Sequence, residues 1–430
     1  MKRRLFLKNT ALAASSIAFL SSSSWARVKV DRLRTAHIGV GGMGGEDLKS
    51  ISSHKLVDVT ALCDVDANNL KAANKLHKGA KVFSDYRRLF DEIGKSIDAV
   101  IVSTPDHTHA PASMLAMQMG KPVYCQKPLT HHVSEARAMR KMAEDNKLIT
   151  QMGIQIHSWN QYRGTVDLIQ SGIIGKVQTV RAWSNKNWGF DGPAPTGSDT
   201  VPTTLDWNLW LGTAPERAYK EGYYHPGNWR KILDYGCGTL GDMGVHIFDT
   251  PYTALALDVP KTITTSCRKP TGFGHPEKNV VTYEFPATEF TTDNFKWVWY
   301  DGVDAPDSHE ELAMPGGEKL PQQGAMFIGE KGRLLLPHID YPKLIIEGKY
   351  EKVDFPDLPK ADHYHQFVDA CLGKDKTSAP FSYAARLTEA ILLGVVANRF
   401  PDQTLNWNNK DQKFAEAAAN KLLEAPYRKF

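Results

Sequence analysis

The chain has 430 residues, of which 42% are hydrophobic and 23% charged, with a formal net charge of +4. That length accommodates two domains with full cores, and a charge so near balance, with no basic run interleaved with aromatics, excludes nucleic-acid binding. The five cysteines (Cys63, Cys125, Cys237, Cys267, Cys371) are odd in number and scattered, so neither a disulfide framework nor a metal site is expected.

The first element is a basic start, RRLFLK (Arg3–Lys8), running into the weakly apolar stretch Ala11–Leu20. That stretch is too short to cross a ~30 Å hydrocarbon layer, and Ser24-Trp25-Ala26 follows with small outer residues. A twin-arginine signal peptide over residues 1–26 is expected, cleaved after Ala26. The translocase is then a partner, the destination periplasmic, and no stable membrane span remains after cleavage. Scattered cysteines fit a chain that folds in a reducing compartment before export.

TAHIGVGGMGG reads as a strand entering a glycine turn, and LVDVTALCDVD as a second strand ending in acids. A polar helix (Ala67–Leu76), the run IDAVIVSTP, the helix HAPASMLAMQMG and the strand KPVYCQKP follow. Strand and helix alternate with short connections, which means βαβ units and a doubly wound parallel sheet, an α/β Rossmann domain over 34–155. Beyond it, VQTVRAW, KTITTSC, NVVTYEF, FKWVWYD and KLIIEG alternate as a large, mostly antiparallel or mixed sheet. An α+β substrate-binding and oligomerisation domain is expected over 156–375, and C-terminal helices packing back on the body over 376–430. An insertion at Ser184–Gly236, rich in Trp, Tyr, Pro and Gly, interrupts the second domain.

Gly39, Gly41 and Gly44, with Gly42 and Met43 between them, form G-x-G-x-x-G between a strand and a helix. The glycines allow a tight turn, close backbone approach to a pyrophosphate and close helix packing, and the helix N-terminus offers free N–H groups. Asp64, at the end of the next strand, suits the two ribose hydroxyls and would repel a 2′-phosphate, so NAD(H) is favoured over NADP(H). Thr104 and Pro105 sit where a strand end opens on the ligand crevice, with His107 and His109 just beyond. His109 is assigned to the cofactor; His107 either lines the crevice or caps a helix near Pro111. Asp242 and His246 are four apart, hence on one face of a helix.

GVGGMGG, CDVD, STPDHTHAP, YCQKPLTHHVSEA, GTLGDMGVHIFDT, FIGEKGRL and YAARLTEAILLGVVANR, taken together, resemble the Gfo/Idh/MocA oxidoreductases from residue 35 to about 400. The resemblance implies that Lys127 points at a reacting hydroxyl, with a cis peptide before Pro128. It assigns His246 as the base, for which a near-neutral pKa would suit, and Asp242 as the group orienting substrate or histidine. The family's Glu-Lys-Pro is Gln126-Lys127-Pro128 here, and a neutral Gln126 cannot pair with Lys127 as a carboxylate would. Gln126 and Gln155 are expected at the cofactor, and His157, Arg163, Trp229 and Arg230 at the substrate. The function implied is an NAD-dependent oxidoreductase on a sugar or glycoside hydroxyl with a tightly bound nicotinamide. A redox-neutral, NAD-dependent glycosidase and a non-catalytic sugar-binding protein are the alternatives. Relatives of this type imply a homo-oligomer, a dimer or tetramer joined through an exposed sheet face.

Overall fold

The computed structural model describes residues 31–430, so the signal-peptide reading lies outside the described residues. The N-terminal half is a six-stranded parallel sheet in the order β3-β2-β1-β4-β5-β6. Its strands are β1 (Leu33–Ile38), β2 (Val57–Cys63), β3 (Lys81–Phe83), β4 (Ala99–Val102), β5 (Val123–Gln126) and β6 (Thr150–Gly153). The helices between them are α1 (Met43–Ser52), α2 (Ala67–Leu76), α3 (Tyr86–Ile93), α4 (Asp106–Gln118) and α5 (Val133–Asp145). Strands β4 and β5 are buried along their whole length, as parallel strands covered on both faces must be. The order reverses between β1 and β4, and ligands bind outside the strand C-termini at such a switch point.

The second domain starts with α6 (Asn160–Gln170) and β7 (Val177–Ser184), then α7 (Trp207–Leu211) and α8 (Val245–Ala254). Strands β8 (Thr262–Cys267), β9 (Asn279–Glu284), β10 (Thr291–Asp301), β11 (Gln323–Gly329) and β12 (Arg333–Pro337) follow. The chain ends through β13 (Lys343–Ile346), β14 (Lys349–Glu351), α9 (His363–Cys371), α10 (Phe381–Ala397), β15 (Thr404–Asn408), β16 (Lys413–Phe414) and α11 (Ala417–Asn420). Ten strands pair in the order β14-β13-β12-β11-β7-β10-β9-β8-β15-β16. Only β7 and β10 run parallel, so the expected mixed sheet is present.

One face of this sheet carries Val180, Ala182, Trp297 and Phe327 into the main core, where α8 and α10 cover them. Phe248 of α8 stacks on Trp297 with ring centroids 4.1 Å apart, which fixes the helix that carries His246. The opposite face is covered in part, where Trp183, Tyr300, Met326 and Leu335 pack with Ala305, Leu312 and Met314 from the β10–β11 connection. Lys296, Ser266 and Thr404 of β10, β8 and β15 point to the same side and stay exposed, so an open sheet surface remains over those strands. The C-terminal region also differs from helices alone, since β15 and β16 extend the large sheet. The final residues return to the first domain, where Tyr427 donates to Glu135 (2.6 Å) and Arg87 binds the Phe430 carbonyl. Among the described residues no helix is long and apolar enough to cross a membrane.

The insertion after β7 buries Trp210, Tyr224, Trp229 and Tyr235 in an aromatic cluster completed by Phe273 from the β8–β9 connection. It also reaches the first domain: Ala67 N donates to Thr204 O (2.8 Å), Asp206 N to Val65 O (2.9 Å), and His225 pairs with Asp66 (3.1 Å). These contacts lay the insertion across the C-terminal edge of the parallel sheet and turn an open crevice into a walled cavity.

Candidate active site

The cavity has a volume of about 570 Å³ and runs from the glycine turn to α8. Gly39, Gly41, Gly42, Met43, Asp64, Thr104, Pro105, Gln126, Lys127, Gln155, Trp229, Arg230, Asp242 and His246 all line it, which joins most of the expected residues in one site. Gly39 has φ 82°, and a Cβ there would lie 2.5 Å from the Ser103 carbonyl oxygen. A Cβ on Gly44 would meet the Gly39 oxygen at 2.3 Å, so this glycine holds α1 against the turn rather than facing the cavity. Gly42, φ 52°, has nothing within 4 Å of its Cβ position. That open space before the first turn of α1 is where a pyrophosphate fits.

The Asp64 carboxylate is pinned by Val40 N (2.9 Å) and Asp66 N (2.9 Å), with Asn69 Nδ2 at 3.3 Å. Its orientation toward the cavity is thus fixed before any ribose arrives. The residues present fit a dinucleotide: a glycine cradle with room for phosphate, a fixed carboxylate for ribose, and Gln126 and Gln155 further in.

Gln126 is tied to a group the sequence did not flag. Its Nε2 donates to both Asp47 oxygens (3.0 and 2.9 Å), and Ser103 Oγ donates to Asp47 Oδ2 (2.6 Å). Asp47 comes from α1, is wholly buried, and its carboxyl is pushed up to about 6 by that burial. The acid absent from position 126 therefore stands across from it. A glutamate at 126 would face a second carboxylate.

The Lys127–Pro128 bond is cis. Lys127 Nζ donates to Asp242 Oδ1 (2.8 Å) and to the Asp242 carbonyl (2.9 Å), and Arg230 Nε donates to the same Oδ1 (3.1 Å). Lys127 thus has a carboxylate partner, supplied by Asp242 in place of residue 126. Burial raises the Asp242 carboxyl, yet the two cations outweigh it and hold the group well below the usual range, so it stays ionised. The Arg230 guanidinium lies over Trp229 (4.2 Å), which is buried and braces it.

Asp242 lies in a wide π-type turn, Leu240–Gly244, that runs straight into α8 and puts Asp242 and His246 on the same wall. Such turns recur at functional sites. His246 Nδ1 is buried without a hydrogen-bond partner. Burial, then the Lys127 charge, push the imidazole well below its ordinary value rather than leaving it near neutral. It rests as a neutral ring.

Three expected residues lie elsewhere. His109 sits inside α4, buried, with ring nitrogens 2.8 Å from the Pro128 and Thr104 carbonyls. It braces the two loops that carry Lys127 and Thr104 and does not line the cavity. His157 pairs with Asp249 (2.9 Å) behind α8, and Arg163 donates to the Pro359 carbonyl (2.8 Å). Both border a separate hollow of about 230 Å³. Residues 155–158 form a tight 3₁₀ turn of about three residues per turn, so Gln155 and His157, two apart, face different hollows. His107, buried between the Tyr235 and Trp210 carbonyls, is structural as well.

The sequence reading missed Lys186, His225 and His338, all lining the cavity; Trp188, one of the insertion's aromatics expected to pack on a sugar face, lines it too. They come from the insertion and from the β12–β13 connection, segments without a motif.

A family model described as an oxidoreductase family NAD-binding Rossmann fold matches residues 33–154. A second, the same family's C-terminal alpha/beta domain, matches 161–271, and together they take in more than half of the chain. The chain belongs to the Gfo/Idh/MocA oxidoreductase family. Among family relatives, an inositol 2-dehydrogenase of Rubrobacter xylanophilus is 29% identical over 158 residues, 36% of this chain and 44% of that one. A glycosyl hydrolase family 109 protein of Stenotrophomonas maltophilia is 34% identical over 137 residues, 29% of each chain. The chain spans less than half the length of the curated relatives it matches first. The Bordetella pertussis WlbA dehydrogenase, solved with NADH and UDP-GlcNAcA, superposes with a TM-score of 0.63 at 14% identity, covering 88% of this chain and 99% of that one. An aldose-aldose oxidoreductase of Caulobacter crescentus gives 0.60 at 16%, covering 87% and 99%. At such identities the likeness establishes the Gfo/Idh/MocA fold.

Proposed function

We propose that the chain oxidises a hydroxyl of a sugar or glycoside, passing hydride to a tightly held NAD. The observation that carries this reading is the continuity of one cavity from the Gly39–Gly44 cradle to Lys127, Asp242 and His246. The dinucleotide supplies the hydride acceptor when bound. Lys127, held by two bonds to Asp242, keeps N–H capacity for the substrate oxygen and stabilises negative charge developing there. His246, a neutral ring that lines the cavity, is the group able to take the hydroxyl proton. Asp242 holds Lys127 and Arg230 in place, and Trp188 supplies an apolar face for the C–H side of a sugar ring.

The redox-neutral glycosidase, in which oxidation, elimination, hydration and re-reduction return the cofactor to its starting state, is the second reading. The twin-arginine pattern at Arg3-Arg4 favours it, because a cofactor carried out once is not exchanged at each turnover. Export and homo-oligomerisation are part of the proposal. The test is to offer an aryl glycoside to the purified protein without added NAD. Reduced-nicotinamide absorbance with an intact aglycone supports the dehydrogenase; catalytic aglycone release with no lasting spectral change supports the glycosidase. Neither change, with no dinucleotide released on denaturation, overturns both.

A further inference from the structure

The substrate end of the cavity carries more positive charge than its own groups balance. Lys127 and Arg230 share the ionised carboxylate of Asp242, and the Asp106 carboxyl on the same lining, pushed up to about 7 by burial, adds only part of a charge near neutral pH. Lys186 adds a third cation. It follows β7 and is exposed overall, with its Nζ 3.2 Å from Met243 Sδ, and no carboxylate among the described residues pairs with it. The ammonium is near enough to His246 and His338 to disfavour a proton on either ring.

His338 stands beside it on the same wall, its ring centroid 5.9 Å from that of His246. Tyr162 OH lies 2.9 Å from His338 Nδ1 and accepts from Ile339 N (3.1 Å). The phenol proton has no other acceptor among the described residues, so it goes to Nδ1, and the neutral ring carries its N–H on Nε2. Ile339 has φ 63°, a region a β-branched residue adopts only under strain. The chain therefore distorts its backbone where it aims an N–H donor at the side of the cavity that holds an unbalanced ammonium.

We propose that Lys186 and His338 bind a carboxylate on the sugar, so that the substrate is a sugar acid or its glycoside. This rests on the sugar-oxidising reading above. One full cation and one neutral N–H arriving from separate segments match the two oxygens of a planar monoanion. The carboxylate also fixes which ring hydroxyl faces Lys127, because it anchors the far side of the ring.

The test uses the NAD-loaded protein and quenching of its tryptophan fluorescence, with Trp188 in the cavity, to titrate methyl glucuronoside, methyl glucoside and glucose 6-phosphate. The uronoside is expected to bind at least about tenfold tighter than the glucoside. Lys186→Met is expected to bring that ratio to within about twofold, and Lys186→Arg to restore most of it. Equal affinities in the unaltered protein, or a preference that survives Lys186→Met, overturn the proposal. Tighter binding of the phosphate overturns the carboxylate assignment. If the glucoside reduces the nicotinamide as efficiently as the uronoside, the oxidising reading stands and the proposal falls. If the uronoside binds through Lys186 with no reduction, the proposal stands and the oxidising reading falls.

Discussion

Asp47 and Gln126 are the pair that most changes the meaning of the sequence. At position 126 a glutamine in place of the family's acid read as a missing carboxylate; in the fold the carboxylate is Asp47, 2.9–3.0 Å from the Gln126 amide. Nothing in the chain order ties residue 47 to residue 126, so the exchange was invisible until α1 and β5 came together. Gln126→Glu would set two carboxylates in contact, one of which must stay protonated. It is expected to destabilise the protein by about 1–3 kcal/mol near pH 8 and by less near pH 5, with Asp47→Asn in the same chain restoring stability. Thermal melts at the two pH values check this; equal losses at both would refute the electrostatic account. Lys127→Met removes the donor that faces the substrate oxygen, and the rate of bound-nicotinamide reduction is expected to fall about 10²–10⁴-fold with the dinucleotide still bound. Loss of dinucleotide instead would show Lys127 to be a cofactor anchor. His157 was misplaced for a local reason: a 3₁₀ turn sends residues two apart to different sides, and sequence spacing alone does not announce one.

Among elements, the glycine turn was the most legible, because strand, turn, helix and terminal acid lie within one short stretch. Its glycines nonetheless do different work. Gly44→Ala would drive a methyl against the Gly39 carbonyl, 2.3 Å away, and is expected to lower the melting temperature with or without cofactor. Gly42→Ala meets no protein atom and strains only its own backbone (φ 52°, ψ −122°), at about 1–3 kcal/mol, but its methyl occupies the phosphate space. It is expected to keep most stability while weakening NAD affinity at least about tenfold. Calorimetric titration beside a melt separates the two; an unaltered affinity in Gly42→Ala would place the pyrophosphate elsewhere. The turn Leu240–Gly244 and helix α8 were read as one helix, and the shared face of Asp242 and His246 survives that difference. His338 could not have been found, since its place depends on a hairpin whose register comes from the ten-stranded sheet.

At the scale of the molecule, burial of titratable groups makes stability depend on pH in a definite direction. Burial holds His37 at about 3, and His109, His275, His338 and His363 at about 4, against an ordinary 6.5. The unfolded chain protonates these rings first, so their contribution is complete above pH 6.5 and is lost as pH falls toward the folded values. Asp47, at about 6, and Asp106 and Asp301, at about 7, act oppositely: theirs is complete below 3.8 and lost as pH rises through 6–7. The histidines outnumber the carboxylates, so the melting temperature is expected to fall as pH drops from 6.5 toward 4. Calorimetry across that range checks it, and a flat or rising profile would contradict it. The two-domain division and the mixed sheet were readable from alternation alone. The partial covering of the sheet's outer face was not, because the β10–β11 connection has no periodicity to show where it lies.

The central claim is that the glycine cradle and the Lys127–Asp242–His246 cluster serve one reaction in one cavity. The most direct measurement is the near-ultraviolet absorbance of the protein–NAD complex, with no excess cofactor, after addition of a uronoside. The expected result is a rise to about one reduced nicotinamide per chain, slowed about 10²–10⁴-fold by Lys127→Met. A stoichiometric complex that shows neither reduction nor turnover with uronosides, neutral glycosides or free sugars would contradict it.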